Sequence, residues 1–143
     1  MAGYSGTPLP RKLGIEEGDR IAILGAPAGW QKTLDLPDRV TARTSLGEPP
    51  LDLVLLFVRR RAQLAAAWKK TTAALTPAGA LWVAWPKKAA RTTIPSDMTE
   101  DFVREVALPT GWVDNKVCAV TDVWSGLRFV LRLANRPRPP ARP

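Results

Sequence analysis

Apolar residues form two unbroken runs near the middle of this chain, and between the runs they recur at helical spacing. Residues 51–57 read Leu-Asp-Leu-Val-Leu-Leu-Phe, and residues 81–85 read Leu-Trp-Val-Ala-Trp. Runs of this length, rich in strand formers, predict strands buried on both faces, as in a parallel sheet. Between them Leu64, Trp68, Thr71 or Thr72, and Leu75 fall three or four apart, which predicts a helix over residues 60–75 with one apolar stripe. Pro77 and Gly79 are placed to stop it. The central unit is therefore strand, crossover helix, strand.

The flanking chain supplies the remaining elements. Residues 20–24, Arg-Ile-Ala-Ile-Leu, predict a first strand, and Gly25, Ala26, Pro27 and Gly29 predict the loop that leaves it. A short helical turn over residues 30–34 and a second strand over 40–43 follow. Asp97 with Glu100 three residues on has capping-box spacing, and predicts a helix carrying Met98, Phe102 and Val106 on one face. Residues 112–120 and 127–133 predict two more strands, joined closely enough for an antiparallel hairpin. Residues 1–13, with Gly3, Gly6, Pro8 and Pro10, predict an extended arm, and the Arg/Pro-rich residues 135–143 predict a disordered tail. Residues 14–134 then form one α/β domain, a three-layer α/β sandwich. Its mostly parallel sheet is expected in the order 2-1-3-4-6-5, with a C-terminal antiparallel hairpin.

Composition narrows the chemistry. Among 143 residues there is no histidine and a single cysteine, Cys118. That excludes an intramolecular disulfide, a histidine-based nucleophilic catalyst and the usual zinc or haem ligand sets. No catalyst is visible, so the sequence leans away from an enzyme. A lone thiol, with neither a signal-like leader nor an apolar run of membrane-spanning length, gives the expectation of a cytoplasmic protein. The net charge of +8 directs attention to anionic partners: a small molecule, an acidic protein surface or nucleic acid.

In an open α/β sheet, ligands bind beyond the carboxyl ends of the strands. The sequence places three basic or polar groups there. Arg59 and Arg60, with Arg61 beside them, follow the third strand, and Lys87 and Lys88 follow the fourth. Trp124 and Ser125 lie where the antiparallel sixth strand begins. The cations make an anion-binding site, or else a solvated rim. Trp82 and Trp85 are three apart on a strand and so face opposite sides. Trp82 is assigned to the core, while Trp85 either lines the crevice or packs inside. Lys116 sits mid-strand, which predicts an edge strand or an ion pair with Asp114 or Asp122. Cys118 reads as a structural thiol, with activation by Lys116 the alternative.

The order of elements resembles the Rossmann-like class I methyltransferases over roughly two-thirds of the chain, most closely in Leu51-Asp-Leu-Val-Leu-Leu-Phe, Leu75-Thr-Pro-Ala-Gly79 and Leu81-Trp-Val. That resemblance implies S-adenosylmethionine as cofactor, held by a loop at Gly25, Ala26, Pro27 and Gly29. The chain departs from the pattern in two places. Proline stands inside the glycine loop. No carboxylate ends the second strand near Arg43, where the family binds ribose hydroxyls. Longer strings resemble the small bacterial proteins of domain-of-unknown-function family 3052. These are Tyr4-Ser-Gly-Thr-Pro-Leu-Pro10, Leu81-Trp-Val-Ala-Trp-Pro-Lys-Lys88, Asp114-Asn-Lys-Val-Cys-Ala-Val120 and Trp124-Ser-Gly-Leu-Arg-Phe129. This resemblance implies a grouping and no activity. The leading expectation is a noncatalytic binding module for an anionic ligand. A degenerate methyltransferase and a nucleic-acid accessory protein are the alternatives.

Overall fold

The computed structural model describes residues 7–47 and 50–136. Six strands form one sheet in the order β2-β1-β3-β4-β6-β5, as the apolar pattern predicts. They are β1 (Arg20–Leu24), β2 (Thr41–Arg43), β3 (Leu51–Phe57), β4 (Leu75–Pro86), β5 (Trp112–Ala119) and β6 (Trp124–Leu131). The first four run parallel, and β6 lies antiparallel between β4 and β5. The chain moves outward from β1 to β2, then back past β1 to β3. The strand order therefore reverses between β1 and β3.

Both faces of the sheet are covered, which is why β3 and β4 are apolar at nearly every position. Helices α2 (Arg61–Ala73) and α3 (Glu100–Ala107) cover one face. Leu64, Trp68 and Val103 pack there against Val54, Leu56, Leu81, Val83 and Trp85. On the other face Leu13, Ile15, Ile23, Leu55, Phe57, Trp82 and Trp124 form a second cluster. It is roofed by α1 (Leu9–Leu13) and by the β1–β2 connection, which contains a 3-10 turn, Trp30–Thr33. Trp82 and Trp85 do face opposite sides, and both are buried.

Several boundaries differ from the sequence reading, among them β6, which spans Trp124–Leu131 against the expected residues 127–133. The described part of the arm is helical over residues 9–13. Proline is harmless in a first helical turn, where the missing N–H has no partner to lose, and Gly14 closes the turn at φ 83°. Strand β4 begins at Leu75, because a register shift between Leu51 and Leu53 accommodates the segment with Pro77 and Gly79 as an irregular strand. Thr99, not Asp97, caps α3, its hydroxyl accepting from the Phe102 N–H at 3.1 Å. Asp97 serves α2 instead: its carboxylate accepts from the Arg61 N–H at 2.7 Å. Finally, the tail is tethered at its start. Asn135 and Arg136 hydrogen-bond back to Arg132 and Leu133, and Arg136 Nε donates to Leu131. The rest of the predicted tail lies outside the described residues.

Candidate functional site

The reversal of strand order brings Gly25 and Phe57 together at the carboxyl edge of the sheet. Gly25 has φ 72°, and a Cβ there would fall 2.7 Å from the Phe57 carbonyl oxygen. Only glycine permits both the backbone angle and the approach. The loop then closes on itself, with the Trp30 N–H donating to the Pro27 carbonyl at 3.0 Å. Ala26 packs on the core cluster below, and Gly29, at φ 75°, starts the 3-10 turn. The loop is thus built for tight docking on β3. Pro27 brings no N–H to it.

An aromatic series runs along this edge. Trp30 meets Phe57 edge-on at 5.0 Å between ring centroids, and Phe57 meets Trp124 the same way at 5.1 Å. The Arg59 guanidinium lies 5.9 Å from the Trp124 ring centroid, within reach of a cation–π contact. Trp124 is 2% exposed, so it supports Arg59 from below. Trp85 lies on the α2–α3 face, and core packing accounts for it. Ser125 is half-buried and pairs in register with Trp85. The sequence showed each of these aromatics singly. Their contacts join residues far apart in the chain, which no local pattern reports.

The predicted cations occupy the same edge. Arg59, Arg60 and Lys88 are exposed and Lys87 is half-buried. The N–H groups of Arg59 and Arg60 donate to Gln63 Oε1 at 2.7 and 3.0 Å, which fixes the start of α2. Lys87 is anchored by its N–H to the Val123 carbonyl at 2.8 Å, which ties it to the loop before Trp124. Asp97 enters this region through the backbone. Its N–H donates to the Arg59 carbonyl at 3.3 Å, and its own carbonyl accepts from Arg61 Nε at 2.9 Å. The Arg61 guanidinium lies over Phe102 at 4.7 Å, away from Trp124's partner.

The opposite edge carries a group of carboxylates. Glu16, Glu17 and Asp19 precede β1, and Asp52 is the second residue of β3. Asp52 accepts from the Arg20 N–H at 2.8 Å, and Asp19 from the Glu16 N–H at 2.9 Å. Burial raises the Asp19 carboxyl above its ordinary range. The bond from Glu16 opposes that rise, while the charges of Asp52 and Glu16 add to it. Glu17 there pairs with the Arg39 guanidinium and Arg20 opens β1, so the amino edge carries both signs of charge. On β5, burial pushes the Cys118 thiol up despite Lys116 and Lys12 nearby, which fits a structural thiol. Lys116 pairs with neither Asp114 nor Asp122: its ammonium donates to the Lys12 carbonyl at 2.6 Å.

These features define the Rossmann-like fold of the class I methyltransferases. The chain is similar to an S-adenosylmethionine-dependent methyltransferase from Aquifex aeolicus, with TM-score 0.60 and 14% identity over 83% of this chain and 85% of that one. It is also similar to fibrillarin from Aeropyrum pernix with natively bound S-adenosyl-L-methionine (TM-score 0.57, 15% identity, 85% of this chain and 73% of that one). A third is magnesium protoporphyrin IX methyltransferase from Synechocystis with bound S-adenosylmethionine (TM-score 0.56, 13% identity, 86% and 74%). At these identities the likeness is one of fold. No family model and no curated protein matches the chain, so the resemblance to family 3052 rests on the residue strings alone.

Proposed function

We propose that this protein is a binding module for an anionic ligand, which docks at the carboxyl edge between Arg59 and Lys87, with Arg60 and Lys88 at the rim. The observation that carries this reading is Arg59 stacked on buried Trp124, beside a lysine whose backbone is fixed to the same loop. A guanidinium held on an aromatic ring has given up part of its freedom before a ligand arrives, so binding costs less ordering. Of the carboxylates in this region, Asp97 accepts from a backbone N–H of α2, and Asp122 is exposed in the loop that holds Lys87.

The test is calorimetry at low salt with inorganic pyrophosphate as probe. Binding should weaken at least about tenfold in Arg59→Gln and in Lys87→Gln, a loss of about 1.4 kcal/mol. No heat of binding, or equal binding by both variants, would overturn the proposal.

A second reading is favoured by Gly25 and Gly29, both in the left-handed conformation after β1, in a fold whose similar structures include two with bound S-adenosylmethionine. In that reading the loop holds S-adenosylmethionine. Ligand at about 100 times its dissociation constant would then stabilise the protein by about 2.7 kcal/mol. An unchanged melting temperature at millimolar ligand removes this second reading and leaves the first standing.

A further inference from the structure

A groove of about 520 Å³ opens between α1 and the end of the β1–β2 connection. Pro8, Pro10, Ile15, Leu36 and Pro37 give it an apolar lining. Its charged groups are Arg11 and two carboxylates, Asp35 and Asp38, all exposed. Neither carboxylate accepts a hydrogen bond or forms an ion pair among the described residues. The backbone on both sides is fixed. The Ile15 N–H donates to the Pro10 carbonyl at 3.0 Å, and the Gly18 N–H to the Asp38 carbonyl at 3.0 Å. The groove is therefore built before anything occupies it.

The described residues end close by. Arg136 is held where β6 finishes, its Nε donating to the Leu131 carbonyl at 3.0 Å. Its charge is felt at Arg128: burial holds that guanidinium below its ordinary range, and Arg136 adds to the effect. Arg128 lies 3.8 Å from where a Cβ on Gly14 would stand, and the next residue, Ile15, lines the groove. Residues 137–143 follow with the sequence Pro-Arg-Pro-Pro-Ala-Arg-Pro, outside the described residues. Proline-rich sequence favours the polyproline II helix, with three residues per turn and about 3.1 Å per residue. A segment of this length then reaches about 22 Å. On such a helix Pro137, Pro140 and Pro143 share one edge, while Arg138 and Arg142 take the other two.

We infer that the groove is the docking site of the chain's own tail, residues 137–143. The proline edge lies on the apolar lining, and the two arginines reach Asp35 and Asp38. Prolines bring no N–H, so an apolar wall leaves no tail donor stranded there. Polyproline II also leaves its carbonyls unpaired, and the Arg11 guanidinium is a donor for one of them. Two arginines against two carboxylates and one arginine is the complementary balance of charge. A short tether sets an effective concentration of about millimolar, so contacts too weak for separate molecules hold within one chain. A docked tail withholds Arg138 and Arg142 from any acidic partner, which must displace it to bind them. The inference uses no residue of the basic carboxyl edge and does not depend on the anion reading there.

The experiment is amide NMR on the full chain at low salt. The Arg138, Ala141 and Arg142 amides should show the heteronuclear NOE of the folded body. In Asp35→Asn/Asp38→Asn those values should fall to the values of a free chain. In Arg138→Gln/Arg142→Gln the amides of residues 9–15 and 34–38 should shift, and those of α2 and α3 should not. Exchanging the charges separates pairing from general damage: Asp35→Arg/Asp38→Arg should release the tail, and adding Arg138→Asp/Arg142→Asp should restore it. All four positions lie outside the packed core or the described fold, so folding survives the changes. A tail that moves freely in the parent, no shift at the groove, or no restoration by the exchange would each overturn the inference. Shifts that grow with protein concentration would overturn it too, by assigning the groove to the tail of a second copy.

Discussion

The indole Nε1 of Trp82 donates to the carbonyl of Leu13 at 2.8 Å, joining a central strand to the end of α1 across 69 positions of chain. Both residues are fully buried. Neighbouring strands add to the clamp. Lys116 of β5 bonds the Lys12 carbonyl, and the Arg128 guanidinium of β6 passes beneath Gly14. Lys116 and Arg128 stand directly opposite one another in register, an unfavourable pairing of like charges on its own. The carbonyl on one and the Asn115 side chain on the other, at 3.2 Å, give each cation a separate acceptor.

Trp82→Phe removes the donor and keeps an aromatic ring. A buried carbonyl left without its partner costs about 1–3 kcal/mol. The melting temperature should fall by several degrees, and amide exchange should accelerate over residues 9–15 more than in α2. Uniform acceleration would show that the bond does not hold α1 in particular.

Gly25→Ala should destabilise the protein by at least about 1–2 kcal/mol from the backbone angle alone, before the contact with Phe57 is counted. Denaturant unfolding measures the loss. Gly18→Ala is the comparison: it shares a positive φ, but a Cβ there meets nothing within 4 Å. The difference between the two isolates the close approach at the point where strand order reverses.

Much of this fold was legible because its signals are local. The runs at residues 51–57 and 81–85 each specify a strand by themselves, and their connection specifies a parallel pair. The short links on either side then leave few strand orders open. The placements of Asp97, Asp35 and Asp38 were not legible for the opposite reason. Asp97 lies one helical turn before α3 and obeys a capping spacing, yet its acceptor is used by a helix 36 positions earlier. Asp35 and Asp38 read as charges in a connection, and only the approach of α1 to that connection makes a groove beside them. Long-range pairing of polar groups leaves no periodic trace in the chain.

Asp97→Ala should cost about 1 kcal/mol, the usual worth of a side chain that satisfies the first N–H groups of a helix. Asp97→Asn keeps an acceptor oxygen and should recover most of it. The alanine variant also removes a negative charge from the basic edge, so it should bind pyrophosphate more tightly than the parent. Weaker binding would mean that the segment from Lys87 to Met98 must stay tied to Arg59 and Arg61 for the site to form.

Asp19 sets a dependence on pH. Its carboxyl is raised in the folded protein, so the folded state holds that proton more firmly than the unfolded state. The contribution is most favourable below the unfolded value and is lost as pH rises through the folded one. Asp19→Asn removes this slope while keeping an acceptor for the Glu16 N–H. Unfolding by urea between about pH 3 and about pH 6 should show the variant gaining on the parent as pH rises. A constant difference would place the raised carboxyl elsewhere.

Arg59, Arg60, Lys87 and Lys88 all lie at one end of the strand axis, on a chain whose net charge is +8. An anion approaching from the side exerts a torque that turns the basic edge toward it before contact. Orientation is then partly settled at long range, out to a Debye length of about 10 Å at 0.1 M salt. Added salt should slow association more than it hastens dissociation, since the charges closest to the ligand are screened least.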